Sequence, residues 1–270
     1  MNACNVLDLR PRSEPASIGP AGGRTTAILA SLRAKVKRPR PPIPTRVDSV
    51  PEALRTPLVT LLQRFQLGEA GEGRVASEAR TSTDPALDEA LREATALYVR
   101  EEGRHAAILA ELLAALGAPT IRHATAEVLF RRGRRLLGFR TKMLVIACAE
   151  VVGIATYTRI RDGVPSSAIA QAADDVLSDE LTHLDFQSLF FSRVIATFGR
   201  LSPVGAPAVA LAFAAVLTAA TLLVTLRHRV ALRRLGSSPA AFVLQCARIG
   251  YELARATADD GRPCHRDAWG

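Results

Sequence analysis

Two stretches, VREEGRH at 99–105 and LSDELTH at 177–183, each set a glutamate three residues ahead of a histidine: Glu102 before His105, and Glu180 before His183. Three residues is nearly one helical turn, so on a helix both side chains of a pair share a face. One such pair is common on a solvated surface. Two pairs inside otherwise core-like helical segments constrain the fold much more. Buried carboxylates and imidazoles are costly unless paired or metal-bound, so the chain must gather both segments around a common centre.

The rest of the sequence supports helices as the framework. Hydrophobic residues make up 48% of the 270, enough for a sizeable core, while aromatics are only 5%. Alanine and leucine dominate, which favours helix over sheet. No segment alternates apolar and polar residues between Asn-Gly or Asp-Gly turns, so hairpins are not signalled. The expected class is all-α.

Residues 1–48 are rich in Pro, Gly, Ser and Arg, and KVKRPRPPIPTR reads as a basic, disordered, partly polyproline tail. TTAILASLRAKV has the composition for one short helix within it. From Pro51 onward, Leu54, Leu58, Leu61, Phe65, Gly68, Glu72, Val75 and Ala79 recur every three or four residues and predict a first bundle helix. Asp84 as N-cap and Pro85 at the first position predict the start of the second helix, which Gly117 and Pro119 end near Leu116. A basic amphipathic connector, AEVLFRRGRRLLGF, follows. A third helix is predicted over about 140–161 and a fourth over about 166–198, separated by RDGVPSS. The expected organisation is a tail at 1–48, a four-helix bundle at 49–200, an apolar fifth helix and a C-terminal helix packed on it at 201–258, and a frayed tail at 259–270.

The four helices supply a complete ligand inventory. In MLVIACAEVVGIATYTRI, Glu150 stands alone among apolar residues, with Ile146, Ala147, Gly153 and Ile154 one turn away on either side. A lone buried charge demands a partner. A hairpin centred near Pro165 sets Glu150 opposite Glu180. The first helix offers Glu69 and Glu72 in FQLGEAGEGR, where Gly68 and Gly71 are expected to admit a close neighbour. Mirroring the Glu102–His105 pair through a turn near residues 83–84 misses Glu69 by about 8 Å and Glu72 by about 13 Å. Glu69 is therefore the expected ligand and Glu72 the alternative. One Glu from each of two helices, plus Glu-x-x-His from each of the other two, is the set that holds two iron or two manganese ions in a bundle core. Mixed nitrogen and oxygen ligands suit those metals better than thiolate-loving ones.

LGEAGEG, EEGRH, AE and DELTH, in that order over about residues 50–200, resemble the ferritin-like superfamily in the broad sense that includes rubrerythrin, ferritin and the di-iron oxygenases. The likeness is greatest to bacterial ferritin-like domain proteins with FQLGE, EExxH and DExxH elements. It implies a ferritin-like four-helix bundle with metal ligands Glu69, Glu102, His105, Glu150, Glu180 and His183. In the di-iron monooxygenases each metal-bound histidine is oriented by an acid from the opposite motif. The resemblance thus implies Asp179 for His105 and Glu101 for His183. Tyr98 and Tyr157 are candidates to line the reaction cavity or to donate to a ligand.

The function expected from these features is a di-iron or di-manganese oxidoreductase. It would use dioxygen to oxidise or hydroxylate a small or carrier-bound organic substrate, with an external electron donor. A ferroxidase or iron-storage protein would use the same ligands, and a tRNA-modifying di-iron hydroxylase the same architecture. The surplus of 35 Lys and Arg over 26 Asp and Glu gives a net charge of +9. The arginines are scattered, however, and no aromatics interleave with them, which speaks against a nucleic-acid partner. A homodimer is compatible with the sequence.

GAPAVALAFAAVLTAATLLVTL, at 205–226, carries no charge and is long enough to span a bilayer, with RHRVALRR as a basic flank. It has no Tyr or Trp belt, and a fifth helix buried against the bundle is the favoured reading. Cys4, Cys148, Cys246 and Cys264 form no Cys-x-x-Cys motif, and MNACNVLDLRPRSEP has no apolar core of signal-peptide length. Together these point to the cytoplasm.

Overall fold

The computed structural model describes residues 22–70, 73–122, 138–199 and 205–259. The described residues are all-α: α1 (Gly22–Lys35), α2 (Glu52–Glu69), α3 (Gly73–Thr81), α4 (Glu89–Ala115), α5 (Phe139–Gly163), α6 (Ser167–Gly199), α7 (Gly205–Arg227), α8 (Arg229–Arg234) and α9 (Pro239–Ala258). The basic connector expected at 126–139 lies largely outside the described residues, as do Glu72 and residues 1–21.

Two helix pairs form the centre, α2 against α4 and α5 against α6, with α4 also packed on α6. Leu54, Leu58, Leu61 and Leu62 of α2 are buried, as are Leu91, Ile108, Leu109 and Leu112 of α4, so each helix presents a leucine-rich face to its partners. α5 is buried nearly all round, which is why its sequence shows no polar stripe.

The helix ends explain where the sequence reading slipped. α4 begins at Glu89, not after Asp84. Its cap is Asp88, whose side chain accepts from the Leu91 amide at 2.9 Å. Asp84 accepts instead from the Ala86 amide at 2.9 Å and pairs with Arg140 of α5, stapling the loop before α4 to α5. At the far end of α4, Gly117 takes φ +72 while the Ala118 amide bonds back to Leu113 O at 2.8 Å, a glycine stop of the expected kind. The first bundle helix is not continuous to Ala79. It stops at Glu69, and α3 resumes at Gly73. A side chain at Gly68 would meet nothing within 4 Å, so Gly68 does not serve a close helix approach.

Residues 22–48 are not a disordered tail. α1 packs on α4 and α6. Leu32 is fully buried, and Ile28, Leu29 and Val47 are nearly so. The Val47 amide donates to Ala115 O at 2.9 Å, tying the Pro-rich strap to the end of α4. The strap's composition discourages secondary structure, but a few apolar anchors suffice to seat it.

α9 is capped by Ser238, which accepts from the Ala241 amide at 3.1 Å, with Pro239 opening the helix. α8 closes against the α5–α6 turn, where Leu235 backbone lies so near Gly163 that a β-carbon there would sit 2.6 Å from its carbonyl oxygen. Two helices, α5 and α7, are long and apolar enough to cross a membrane by length and composition. Within their most apolar windows, 83% of α5 is buried but only 17% of α7. α7 rests on α5, α6 and α9 along one side, with Leu217, Thr221 and Thr225 buried. The expected buried fifth helix is thus a helix seated on the protein's surface. A charge-free sequence does not distinguish the two.

Candidate metal centre

Each Glu-x-x-His lies on a long, well-packed helix, α4 or α6, so its two side chains project from one face into the space between the helix pairs. Glu102, His105, Glu180 and His183 each offer a ligand atom, and these atoms all lie within 4.8 Å of one another. All four are buried. Both histidines turn Nδ1 inward. His105 Nδ1 is 3.8 Å from Glu102 Oε1 and 3.5 Å from Glu180 Oε1. His183 Nδ1 is 3.1 Å from Glu102 Oε1 and 3.2 Å from Glu180 Oε2. Both motif glutamates therefore reach both imidazoles.

The remaining two carboxylates flank this centre. Glu69, at the last position of α2, places Oε2 4.0 Å from His105 Nδ1. Glu150 of α5 places Oε2 3.7 Å from His183 Nδ1. All six residues expected from the sequence are brought together, with one flanking glutamate beside each histidine. The hairpin through Pro165 does align Glu150 with Glu180. Glu69 lies closer to the Glu102–His105 level than a simple turn at residues 83–84 would place it, because α3 and the following loop take the place of that turn.

Outward, each imidazole is held by the acid of the other motif. His105 Nε2 donates to Asp179 Oδ2 at 3.1 Å, and His183 Nε2 donates to Glu101 Oε2 at 2.8 Å. On His105, a proton on Nε2 leaves the Nδ1 lone pair aimed at the carboxylates. The buried His105 Nδ1 has no hydrogen-bond partner. A lone pair facing carboxylate oxygens in a dry site is unfavourable unless a cation lies between them. The donor set therefore fits divalent metal: two imidazole nitrogens and four carboxylates, whose formal charge balances two divalent ions.

The tyrosines complete the flanks. Tyr98 OH donates to Glu150 Oε1 at 2.5 Å, and Tyr157 OH donates to Glu69 Oε1 at 2.6 Å. Both are buried, and the Tyr98 ring meets His183 edge-on with centroids 4.6 Å apart. Their role in this geometry is to aim the flanking carboxylates.

Crowding of acids moves their proton affinities apart. Burial, with the charges of Glu69 and Glu150, pushes the Glu102 carboxyl well above its usual range. Burial and Glu150 do the same to Glu180. Burial also pushes Glu150 up, but hydrogen bonds from Glu180, His183 and Tyr98 prevail and bring it down to about 2. Burial opposes charge on His183, yet its hydrogen bonds to Glu101, Glu102, Glu150 and Glu180 raise it well above the ordinary imidazole range. Burial and Glu69 raise Tyr157, keeping its hydroxyl a donor. Asp179 resists burial through the His105 hydrogen bond and the charges of Lys35 and Arg38, and falls to about 2.

Three residues that sequence reasoning missed surround Asp179. Arg38 and Arg104 each approach it at 3.0 Å and Lys35 at 3.4 Å. Arg38 and Arg104 also pair with Asp175 one turn earlier on α6. Arg104 adjoins His105 in the chain, so an arginine beside the motif was the available signal, and its side chain is 8% exposed. Lys35 ends α1 and Arg38 lies in the strap just after it, and no local pattern marks either.

No protein-family model matches the chain, and neither does any curated protein or solved structure.

Proposed function

We propose that this protein is a ferritin-like, two-metal carboxylate oxidoreductase. In this reading it binds two iron ions, or two manganese ions on the same ligands, and uses dioxygen to oxidise or hydroxylate an organic substrate. The observation that carries this reading is the reach of Glu102 and Glu180 to both inward-facing Nδ1 atoms, while each Nε2 is engaged by the opposite motif.

In this reading Glu69 and His105 would hold one ion and Glu150 and His183 the other, with Glu102 and Glu180 available to either. A bound ferrous pair supplies electrons for dioxygen reduction. The chain's own contribution is orientation and exclusion of water. Asp179 and Glu101 fix the imidazole tautomers, Tyr98 and Tyr157 hold the flanking carboxylates, and Phe186, fully buried, stacks on Tyr98. Dioxygen accepts four electrons and a two-electron substrate oxidation supplies two, so an external donor belongs to the reaction. Imidazole on each side favours retained, cycling metal over transit of iron to a store. Cys148 and Cys246 are free and buried, which suits a reducing compartment such as the cytoplasm.

Anaerobic ferrous titration followed by exposure to oxygen tests the reading. Two tightly held irons per chain, a Mössbauer signature of a coupled pair after oxygen, and excess iron lost as precipitate are expected. A chain that stays metal-free at saturating iron overturns the metal centre. A soluble particle that mineralises the excess makes iron storage the function instead.

A further inference from the structure

The outward side of α7 is apolar from end to end. Leu211, Leu222, Leu223 and Leu226 are 72%, 46%, 56% and 68% exposed. At 100° per residue these four fall within about 120° of the helix circumference. The exposed positions between them are almost all alanine. α9 extends the surface. Its exposed Ala240, Leu244, Ala247, Tyr251 and Ala254 recur at steps of four and three and form one stripe. That stripe adjoins α7, because Gly250, on its flank, is where Leu217 and Phe213 of α7 press against α9. Val230 of α8 adds another exposed apolar side chain, at 52%. An apolar surface of this extent on a soluble chain marks an interaction site.

Among the described residues, the unpaired charges where α7 meets α8 are basic, and the nearest acid on α9, Glu252, is paired with Arg255. Not one of the chain's 26 acidic residues lies between Asp185 and Glu252. Arg227, Arg229, Arg233 and Arg234 are exposed where α7 passes into α8, and Arg248 is exposed on α9. A second copy docking by the same face would bring some of these arginines towards their own kind. An anionic surface complements them.

We propose that the α7–α9 face docks the protein onto a bilayer containing anionic lipid, with α7 lying in the plane of the membrane. The orientation follows from packing. α7 runs alongside α5, with Cys148 in the middle of α5 against the Phe213 carbonyl and Leu235, beyond α8, against Gly163 at the end of α5. Threading α7 through the bilayer would drag the whole helical body with it, including the charged outer sides of α1, α4 and α6. Lying flat, α7 sinks its leucines among the acyl chains while the arginines meet headgroup phosphates. A narrow apolar cleft lined by Leu144, Phe191, Val209, Phe213 and Leu253 continues this surface inward between α5, α6, α7 and α9. It suits the end of an acyl chain. The docking surface does not depend on the metal centre, and its test needs no metal.

The test is co-sedimentation of the purified full chain with vesicles of phosphatidylcholine alone, and of phosphatidylcholine mixed with phosphatidylglycerol. Binding at least about tenfold tighter to the mixed vesicles is expected, weakening as salt is raised. The triple variant Leu211→Gln, Leu223→Gln, Leu226→Gln should lose binding at least tenfold. So should Arg229→Gln combined with Arg233→Gln and Arg234→Gln. All these side chains point outward, so an unchanged unfolding temperature certifies the fold of each variant. A wild-type chain that does not sediment with the mixed vesicles overturns the proposal, and so does binding unaffected by the leucine substitutions. A wild-type dimer that the leucine variant splits into monomers also overturns it, and assigns the face to a second copy.

Discussion

His105 on α4 donates to Asp179 on α6 across 3.1 Å, and His183 on α6 donates to Glu101 on α4 across 2.8 Å. Each motif thus orients the other's imidazole, and neither half of the centre is set without its partner helix. Asp179→Asn and Glu101→Gln should each weaken metal retention roughly 10- to 100-fold while leaving both ions bound at saturation. Competition with a chelator of known affinity reads this directly. Retention equal to wild type in both variants would show that the imidazoles are held by packing alone.

Metal uptake should release protons. In the metal-free protein Glu102 and Glu180 have raised carboxyl affinities, from burial and neighbouring carboxylates, and hold protons well above the usual 4.5. His183, raised above 6.5, holds one too. The folded metal-free state therefore binds more protons than the unfolded chain near neutrality, so its stability falls as pH rises through this range. Metal displaces those protons and removes the penalty. The gap in unfolding temperature between metal-loaded and chelator-stripped protein should widen from about pH 5.5 to about pH 8. A gap that stays constant over that range contradicts the assignment of these groups.

The strap after α1 should matter to the centre as well as to the fold. Asp179 is fully buried and faces Lys35, Arg38 and Arg104. Removing one partner of a buried pair leaves uncompensated charge. Arg38→Met should lower the unfolding temperature and weaken metal retention together. Leu32→Ala, in the last turn of α1 just before the strap and without a charge, should cost about 2–5 kcal/mol of stability while leaving the affinity of the folded protein for metal unchanged. Equal effects of the two substitutions on metal affinity would reduce Arg38 to a packing residue.

These contrasts show what the sequence could convey. Glu102, His105, Glu180 and His183 were legible because helical spacing repeats them, and Glu150 because a charge stands alone in an apolar run. The helix order followed from apolar periodicity. Lys35 and Arg38 were not legible, since their partners lie more than a hundred residues away and their own segment reads as a Pro- and Arg-rich tail. The break after Glu69 was hidden because α3 happens to keep the apolar phase of α2 through Val75 and Ala79. The outward side of α7 was hidden for another reason. Alanine, leucine and threonine suit protein and lipid surroundings equally, and only tertiary placement separates them.

Glu69 and Glu150 flank opposite histidines, so losing either should affect one half of the centre. Glu69 lies at the end of α2, held by Tyr157 at 2.6 Å and 4.0 Å from His105 Nδ1. Glu150 lies mid-helix, held by Tyr98 at 2.5 Å and 3.7 Å from His183 Nδ1. Glu69→Ala and Glu150→Ala should each leave one ion tightly held. Mössbauer spectra of the two iron-loaded variants should differ from one another, because the surviving ion sits beside a different histidine in each. Tyr157→Phe removes only the hydrogen bond that aims Glu69. It should keep both ions and slow the reaction with dioxygen by roughly tenfold, the effect of about 1.4 kcal/mol of lost positioning. Two ions retained in Glu69→Ala, with oxygen reactivity intact, would make Glu72 the ligand in place of Glu69.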